Sequence, residues 1–219
     1  MNSLKINLAI ALLLTANFVF GQVYQRGSIT YLNGDVKTGY LLIPEAPKQK
    51  TIKFKLSRNI SQVDKIQSED IKSISVESKD SNIYYFERVS VSRKPGTKPL
   101  KPYWLLVCTS GYATLYTSSS YFESDDKGNV FVVASSSSGP PTFNYFLRKG
   151  NQDIAYYFGM TGNIIGLNIM LKKNADQYLS DYPELVERIK NKEFTHRDIK
   201  AIIQIYNDYM KDNNSIQHL

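Results

Sequence analysis

Few side chains in this sequence are equipped for acid–base chemistry. Histidine is the usual general base near neutral pH, and the chain carries two, His196 and His218. His196 follows Thr195 at a predicted helix start, where side chains face solvent. His218 stands beside the last residue, where order is poorest. A base must sit within about 3 Å of its proton donor, so neither reads as catalytic. Cys108 is the sole cysteine. It lies in "WLLVCT", an apolar stretch where a thiol behaves as a small buried hydrophobe. A reactive thiolate needs a basic, accessible setting. There is no G-x-S-x-G elbow. Ser124 and Lys127 match S-x-x-K but fall in a predicted turn without companion motifs.

Metal and phosphate chemistry lack their spacings as well. One cysteine and two scattered histidines make no zinc site. "ESDDKGN" (123–129) is loosely like a calcium loop, but it lacks the spaced ligands and the final bidentate glutamate, and it reads as a solvated hairpin turn. Gly159, Gly162 and Gly166 follow neither P-loop nor dinucleotide spacing. No cofactor and no metal are expected.

Two charged features stand out. Glu87, in "NIYYFERVSV", shares a strand face with Ile83, Tyr85, Val89 and Val91, whereas Arg88 shares the opposite face with Tyr84 and Phe86. A charge on a buried face is costly unless paired, and such groups mark functional sites. Glu87 is therefore either a pocket carboxylate or a charge at an exposed strand end. The second feature is a basic cluster, Arg88, Arg93, Lys94, Lys98 and Lys101, on the loop "RKPGTKPLKP" (93–102) and its approach. It is either a solvated loop whose charges discourage edge pairing or a patch for an anionic lipid headgroup, a polysaccharide or an acidic protein. Sixteen tyrosines offer flat faces with polar tips that could stack on sugars. Most alternate with aliphatics at strand spacing, which is core packing.

The elements that must position these groups are mostly strands. "SITYLNGDVKTGYLLI" (28–43) reads as a hairpin closed by a two-residue Asn33-Gly34 turn. That turn pairs Tyr31 with Val36 and sets Ile29, Tyr31, Val36 and Thr38 on one dry face. "TIKFKLS" alternates, with Ile52, Phe54 and Leu56 inward. "SEDIKSISVES" opens with a turn and ends as a strand carrying Ile74 and Val76. "YWLLVCT" is apolar on both faces and belongs in mid-sheet, with "GYATLYTS" as its hairpin partner. "VFVVA" reads as another buried strand, "SSSSGPP" as a flexible loop, and "TFNYFLRKG" and "DIAYYFG" as the closing strands.

Beyond about residue 160 the period changes from two to 3.6. Ile164, Leu167, Leu171, Ala175 and Tyr178 form one helical stripe. Asp181 and Glu184 form a capping-box-like pair for a second helix, with Pro183 tolerable in its first turn. Thr195 and Asp198 open a third, whose apolar face is Ile199, Ile202, Ile203, Tyr206 and Met210. Strands first and helices last is an α+β pattern. The expected fold is mainly antiparallel β, as a sandwich, rolled sheet or small barrel, followed by about three C-terminal helices. The β-rich domain spans 22–158. The helical region, 159–219, packs on or beside the sheet.

The bulk numbers agree with that plan. The 219 residues are 42% hydrophobic and 21% charged, with a net charge of +7, which describes a globular chain. Residues 1–21 read as a secretory signal: Lys5 precedes an apolar run from Leu8 to Phe20, and Gly21 precedes the expected cut. The run is too short to span a bilayer, which takes about 20 apolar residues. No cysteine follows it, so no lipid anchor is expected. A single cysteine allows no internal disulfide.

The chain resembles a group of uncharacterised exported envelope proteins of Gram-negative bacteria. The resemblance rests on the leader ending in "FGQ", the "NGD"–"TGYL" hairpin, "SGYATLY", and the C-terminal "YLSDYPELVERIKNKEF…DIKAIIQIYN". It implies location and architecture and supplies no site residues. The expected function is a non-catalytic binding or structural module for a macromolecule or glycan, periplasmic or secreted. Its expected partner is an anionic envelope component or another envelope protein. The alternative is a carboxylate-dependent hydrolase acting on glycans, which requires two acids about 5–10 Å apart. Nucleic acid is not expected, because no recognition motif is present. An outer-membrane barrel needs strands of about 10 residues, longer than "TIKFKLS" supplies.

Overall fold

The structure, a computed structural model, describes residues 23–134 and 142–216. The expected leader at 1–21, the serine-rich loop at 135–141 and His218 lie outside the described residues. Six strands come first: β1 (Gln25–Tyr31), β2 (Val36–Leu41), β3 (Thr51–Lys55), β4 (Asp64–Gln67), β5 (Ile71–Glu77) and β6 (Ile83–Ser92). Six more follow: β7 (Tyr103–Thr109), β8 (Ala113–Ser118), β9 (Tyr121–Ser124), β10 (Val130–Val133), β11 (Phe143–Lys149) and β12 (Ile154–Thr161). Three helices come last: α1 (Leu167–Tyr178), α2 (Pro183–Lys190) and α3 (Ile199–Ile216). This is the expected α+β order.

Ten strands form one sheet in the order β12-β11-β8-β7-β6-β5-β1-β2-β3-β4. All neighbours in that order are antiparallel. The sheet rolls until β12 also meets β6, in parallel, with Ile154 opposite Ser90 and Tyr156 opposite Ser92. The five strands β6, β7, β8, β11 and β12 thereby enclose a small core of Val89, Val91, Leu105, Tyr116 and Ala155. β7 is apolar on both faces because it serves two cores. Leu105 joins the enclosed one, while Trp104 and Leu106 join a second with Ile29, Phe54, Phe86 and Phe122. The separate β9–β10 ribbon covers this second core, with Phe122 edge-on to Phe86 at 5.1 Å. Burial of such side chains contributes about 1.5–3 kcal/mol each.

The helices share a third core with the sheet, in which Leu115, Leu147 and Phe158 meet Leu171, Ile189, Ile202 and Ile203. Asn207 of α3 mimics a strand at the start of β8: its amide oxygen accepts from Ala113 N at 2.7 Å and its amide nitrogen donates to Ala113 O at 2.9 Å. Among the described residues no helix is long and apolar enough to cross a membrane.

Several local expectations are corrected. The first hairpin closes through three residues, Leu32, Asn33 and Gly34, with Thr30 rather than Tyr31 opposite Val36. Tyr31 O accepts from Gly34 N at 3.1 Å, and Gly34 takes φ +92°. Asn33 keeps negative φ and uses its side chain instead, accepting from Asp35 N at 3.0 Å. A one-residue slip reverses the faces of a strand. Lys37, Gly39 and Leu41 therefore point inward, and Val36 is exposed. Lys37 tolerates this at the sheet end because its amine lies 4.5 Å above the Phe54 ring and 3.0 Å from Asp64.

Leu56 is 68% exposed, because β3 ends at Lys55. Ile164 precedes α1 and is also exposed. β10 is not a buried strand: it lies in the ribbon, with Phe131 turned to solvent. β4, a short strand with alternating exposure, carried no sequence signal. α2 starts after Tyr182 without a side-chain cap and with Pro183 in its first turn, because Asp181 is engaged elsewhere. Thr195 does not cap α3, which begins only at Ile199; instead the Asp198 carboxylate turns back to accept from Thr195 N and Oγ1, both at 2.8 Å.

Candidate functional site

A cleft of about 480 Å³ opens where the β11–β12 turn meets the end of α1. The turn contributes Gly150, Asn151 and Gln152, the β7–β8 turn Tyr112, and the last turn of α1 Gln177 and Tyr178. Gly150 takes φ +52° to make that turn. Tyr156 of β12 stacks on Tyr178, with centroids 5.9 Å apart and planes 21° from parallel. Tyr178 is 8% exposed and its hydroxyl has no hydrogen-bond partner. Burial, helped by Tyr156, pushes that phenol up to about 12. An unpartnered buried hydroxyl costs about 1–3 kcal/mol.

Lys149 stands at the cleft's inner edge. Its ammonium donates to Tyr178 O at 3.0 Å and to Asp181 Oδ2 at 2.8 Å. It also lies 5.0 Å from the Tyr206 ring centroid and 5.7 Å from that of Tyr112. Tyr206 Oη donates to the same Asp181 oxygen at 2.7 Å. Burial would raise the Asp181 carboxyl, but the hydrogen bonds from Lys149 and Tyr206 and the Lys149 charge outweigh it and hold the group below its ordinary value. Burial and the Asp181 hydrogen bond push the Tyr206 phenol far up. The lysine charge is thus answered within the protein. What the cleft offers a ligand is aromatic faces and amides.

Glu87 lies elsewhere, on the enclosed side of β6. Tyr116 Oη donates to its Oε2 at 2.7 Å, and Arg148 Nη2 lies 2.8 Å from the same atom. The guanidinium covers the Tyr116 ring at 5.3 Å. The side chains of Glu87 and Arg148 are 27% and 25% exposed. Burial first, then the Glu87 charge and hydrogen bond, drive the Tyr116 phenol far up. Glu87 is therefore not a charge free in solvent. It is the anion of a half-covered ion pair.

The basic cluster divides. Arg93, Lys94, Lys98 and Lys101 are exposed on the β6–β7 loop, whereas Arg88 is half-buried on β6 on the Phe86 face, opposite Trp104. Arg93 turns toward β12: burial raises the Tyr157 phenol and the Arg93 charge opposes that rise. Through Pro95 the same loop forms part of the rim of the tyrosine cleft.

The remaining reactive groups have structural partners. Both His196 ring nitrogens meet acceptors, Asn168 Oδ1 at 2.8 Å and Gly162 O at 3.2 Å, so the ring straps the start of α1 rather than facing bulk solvent. Cys108 is half-buried against the helix–sheet core, and burial pushes its thiol up to about 11, with Lys200 only partly opposing. In the acidic turn, Asp125 Oδ1 accepts from Lys127 N and Asn129 N, and Asp80 accepts from Asn129 Nδ2. Among the described residues no group of three or more His, Cys, Asp or Glu is placed to hold a metal ion. Gly159 makes room for Ile199, whose Cδ1 would lie 2.9 Å from a Cβ there, and Gly166 precedes α1 at φ +90°. Both glycines serve packing and chain direction.

Sequence reasoning missed Tyr112, Lys149, Tyr156, Gln177 and Tyr178. The only signal was the tyrosine excess, which does not say which rings meet. No protein-family model, curated protein or solved structure matches the chain.

Proposed function

We propose that this is an exported envelope protein that binds a glycan without transforming it, through the tyrosine cleft. One observation carries the reading: the stacked Tyr156–Tyr178 pair lies beside the amides of Asn151, Gln152 and Gln177 in a single cleft. Sugars present apolar C–H faces and a rim of hydroxyls. Flat aromatic rings answer the first, and amides, as both donors and acceptors, answer the second. A volume of about 480 Å³ falls within the usual range for ligand sites. Exposed Arg93, Lys94 and Lys98 on a loop that reaches the rim favour a glycan with anionic substituents, because steering by loop cations raises encounter rates. The hydrolase alternative finds less support, because Glu87 is held by Arg148 and Tyr116.

The test is a binding screen of the purified protein against envelope polysaccharides. Tyr156→Ala should weaken capture at least about tenfold, the loss of one aromatic contact of about 1.5 kcal/mol, with the glycan recovered at unchanged length. Release of new reducing ends, or capture indifferent to Tyr156, would overturn the reading. The exported form should begin at Gln22; a retained leader would remove the proposed location.

A further inference from the structure

A second cleft, of about 190 Å³, opens where β1 begins and β2 and β5 end. Four cations from four segments line it: Arg26 of β1, Arg58 after β3, Lys79 after β5 and Lys127 of the β9–β10 turn. They face one acid, Glu77. Two of them are partly engaged, since Lys79 Nζ donates to Asp126 O at 2.9 Å and Lys127 Nζ lies 3.5 Å from Asp80 Oδ2. Among the described residues no ion pair takes either guanidinium. Four segments far apart in sequence therefore converge with like charge on one small space.

The second observation is independent of charge. Gln25, which lines the same cleft, is 4% exposed, and neither its amide oxygen nor its amide nitrogen has a partner. Gly128, at φ +85°, leaves the space beside this amide: a Cβ there would stand 3.0 Å from the amide carbon and oxygen. Buried amides are ordinarily satisfied. One with both ends unfilled calls for a ligand with both an acceptor and a donor. Guanidinium groups select the acceptor, because their fork matches carboxylate and phosphate.

We propose that this cleft binds an oxyanion that carries a neighbouring hydroxyl, as in a uronate or a sugar phosphate. The oxyanion lies against Arg26 and Arg58 and accepts from the Gln25 amide nitrogen, and the hydroxyl donates to the Gln25 amide oxygen. The site is separate from the tyrosine cleft and stands or falls independently of it.

The test follows the Gln25 side-chain amide resonances of the nitrogen-labelled protein during titration with glucuronate, inorganic phosphate and glucose. Saturable shifts with glucuronate or phosphate, weakened by added salt, support the site; the acid that acts identifies the oxyanion. Arg58→Ala should weaken that response about tenfold, the loss of one charge-assisted contact. Arg58 is exposed, so this variant keeps the fold and leaves the Gln25 amide in place as the reporter. Tyr156→Ala should leave the titration unchanged. Silence toward both acids, an equal response to glucose, or indifference to Arg58 would overturn the proposal.

Discussion

Asp181 shows how one side chain can be mistaken for a cap and prove to be a clasp. Its position before Pro183 suits a helix start, yet its carboxylate accepts from Lys149 at the end of β11 and from Tyr206 on α3. Three distant segments are tied at one oxygen, beside the cleft that carries the proposed function. The carboxyl is held below its ordinary value by those partners against the opposing effect of burial. Its unfolded value is about 3.9. Its contribution to stability is therefore complete above that pH and drains away as pH falls through the lower folded value. Asp181→Asn keeps an acceptor but loses the charge. The gap in thermal midpoint between the wild-type chain and D181N should be full at neutral pH and narrow below about pH 4. Thermal melts across that range check it. A gap that stays constant into strong acid would mean that shape, not charge, is what Asp181 supplies.

At the scale of elements, periodicity carried more than register did. Ile52 and Phe54 point inward as alternation requires, and Leu167, Leu171, Ala175 and Tyr178 form the buried stripe of α1. Water excluded from one side of a segment leaves that mark in any sequence. Register left no such mark, because Asn-Gly fits a two-residue turn and a three-residue loop alike. The outcome rests on Gly39, which faces Gly27 across β1–β2 and leaves a space that the Phe54 ring occupies. A Cβ at Gly39 would overlap that ring and the Lys55 carbonyl. Gly39→Ala should cost about 1–3 kcal/mol through overpacking, read as a lower denaturant midpoint with an unchanged slope. Gly34→Ala tests a different property of the same hairpin, the φ of +92°, and should cost about 1–2 kcal/mol. If Gly39→Ala were silent, the register would owe nothing to this packing. The cleft was illegible for a related reason. Tyr112, Tyr156 and Tyr178 each sit at an ordinary packing position in their own segment, and only the rolling of the sheet and the docking of α1 bring them together.

For the whole molecule, the decisive fact is that the helical region has no core of its own: its core side chains pack in one shared with the sheet, while the strands hold two further cores by themselves. Leu115, Leu147 and Phe158 on the sheet have Leu171, Ile189 and Ile203 as their cover, and Asn207 supplies both hydrogen bonds that Ala113 would otherwise seek from a strand. Removing the helices would strip an apolar face from β8, β11 and β12, the strands that also close the roll against β6. A surface of that kind is not tolerated in isolation. The boundary near residue 158 separates two periodicities, and the shared core predicts that it does not separate two folding units. Unfolding should be one cooperative transition, with the far-ultraviolet helical signal and the Trp104 fluorescence changing together. Trp104 is a suitable reporter because it is fully buried in one of the two strand-built cores, its indole N–H donating to Ser68 Oγ at 3.1 Å. Two separated transitions, or a stable soluble fragment ending before α1, would show that the sheet stands alone. The tyrosine cleft would then be expected to lose its wall first, because Gln177 and Tyr178 belong to α1 while Tyr112 and Tyr156 belong to the sheet. Binding in that cleft and unfolding of the whole chain are thus coupled: a glycan held against the Tyr156–Tyr178 pair should raise the single midpoint, by an amount set by its concentration relative to its dissociation constant.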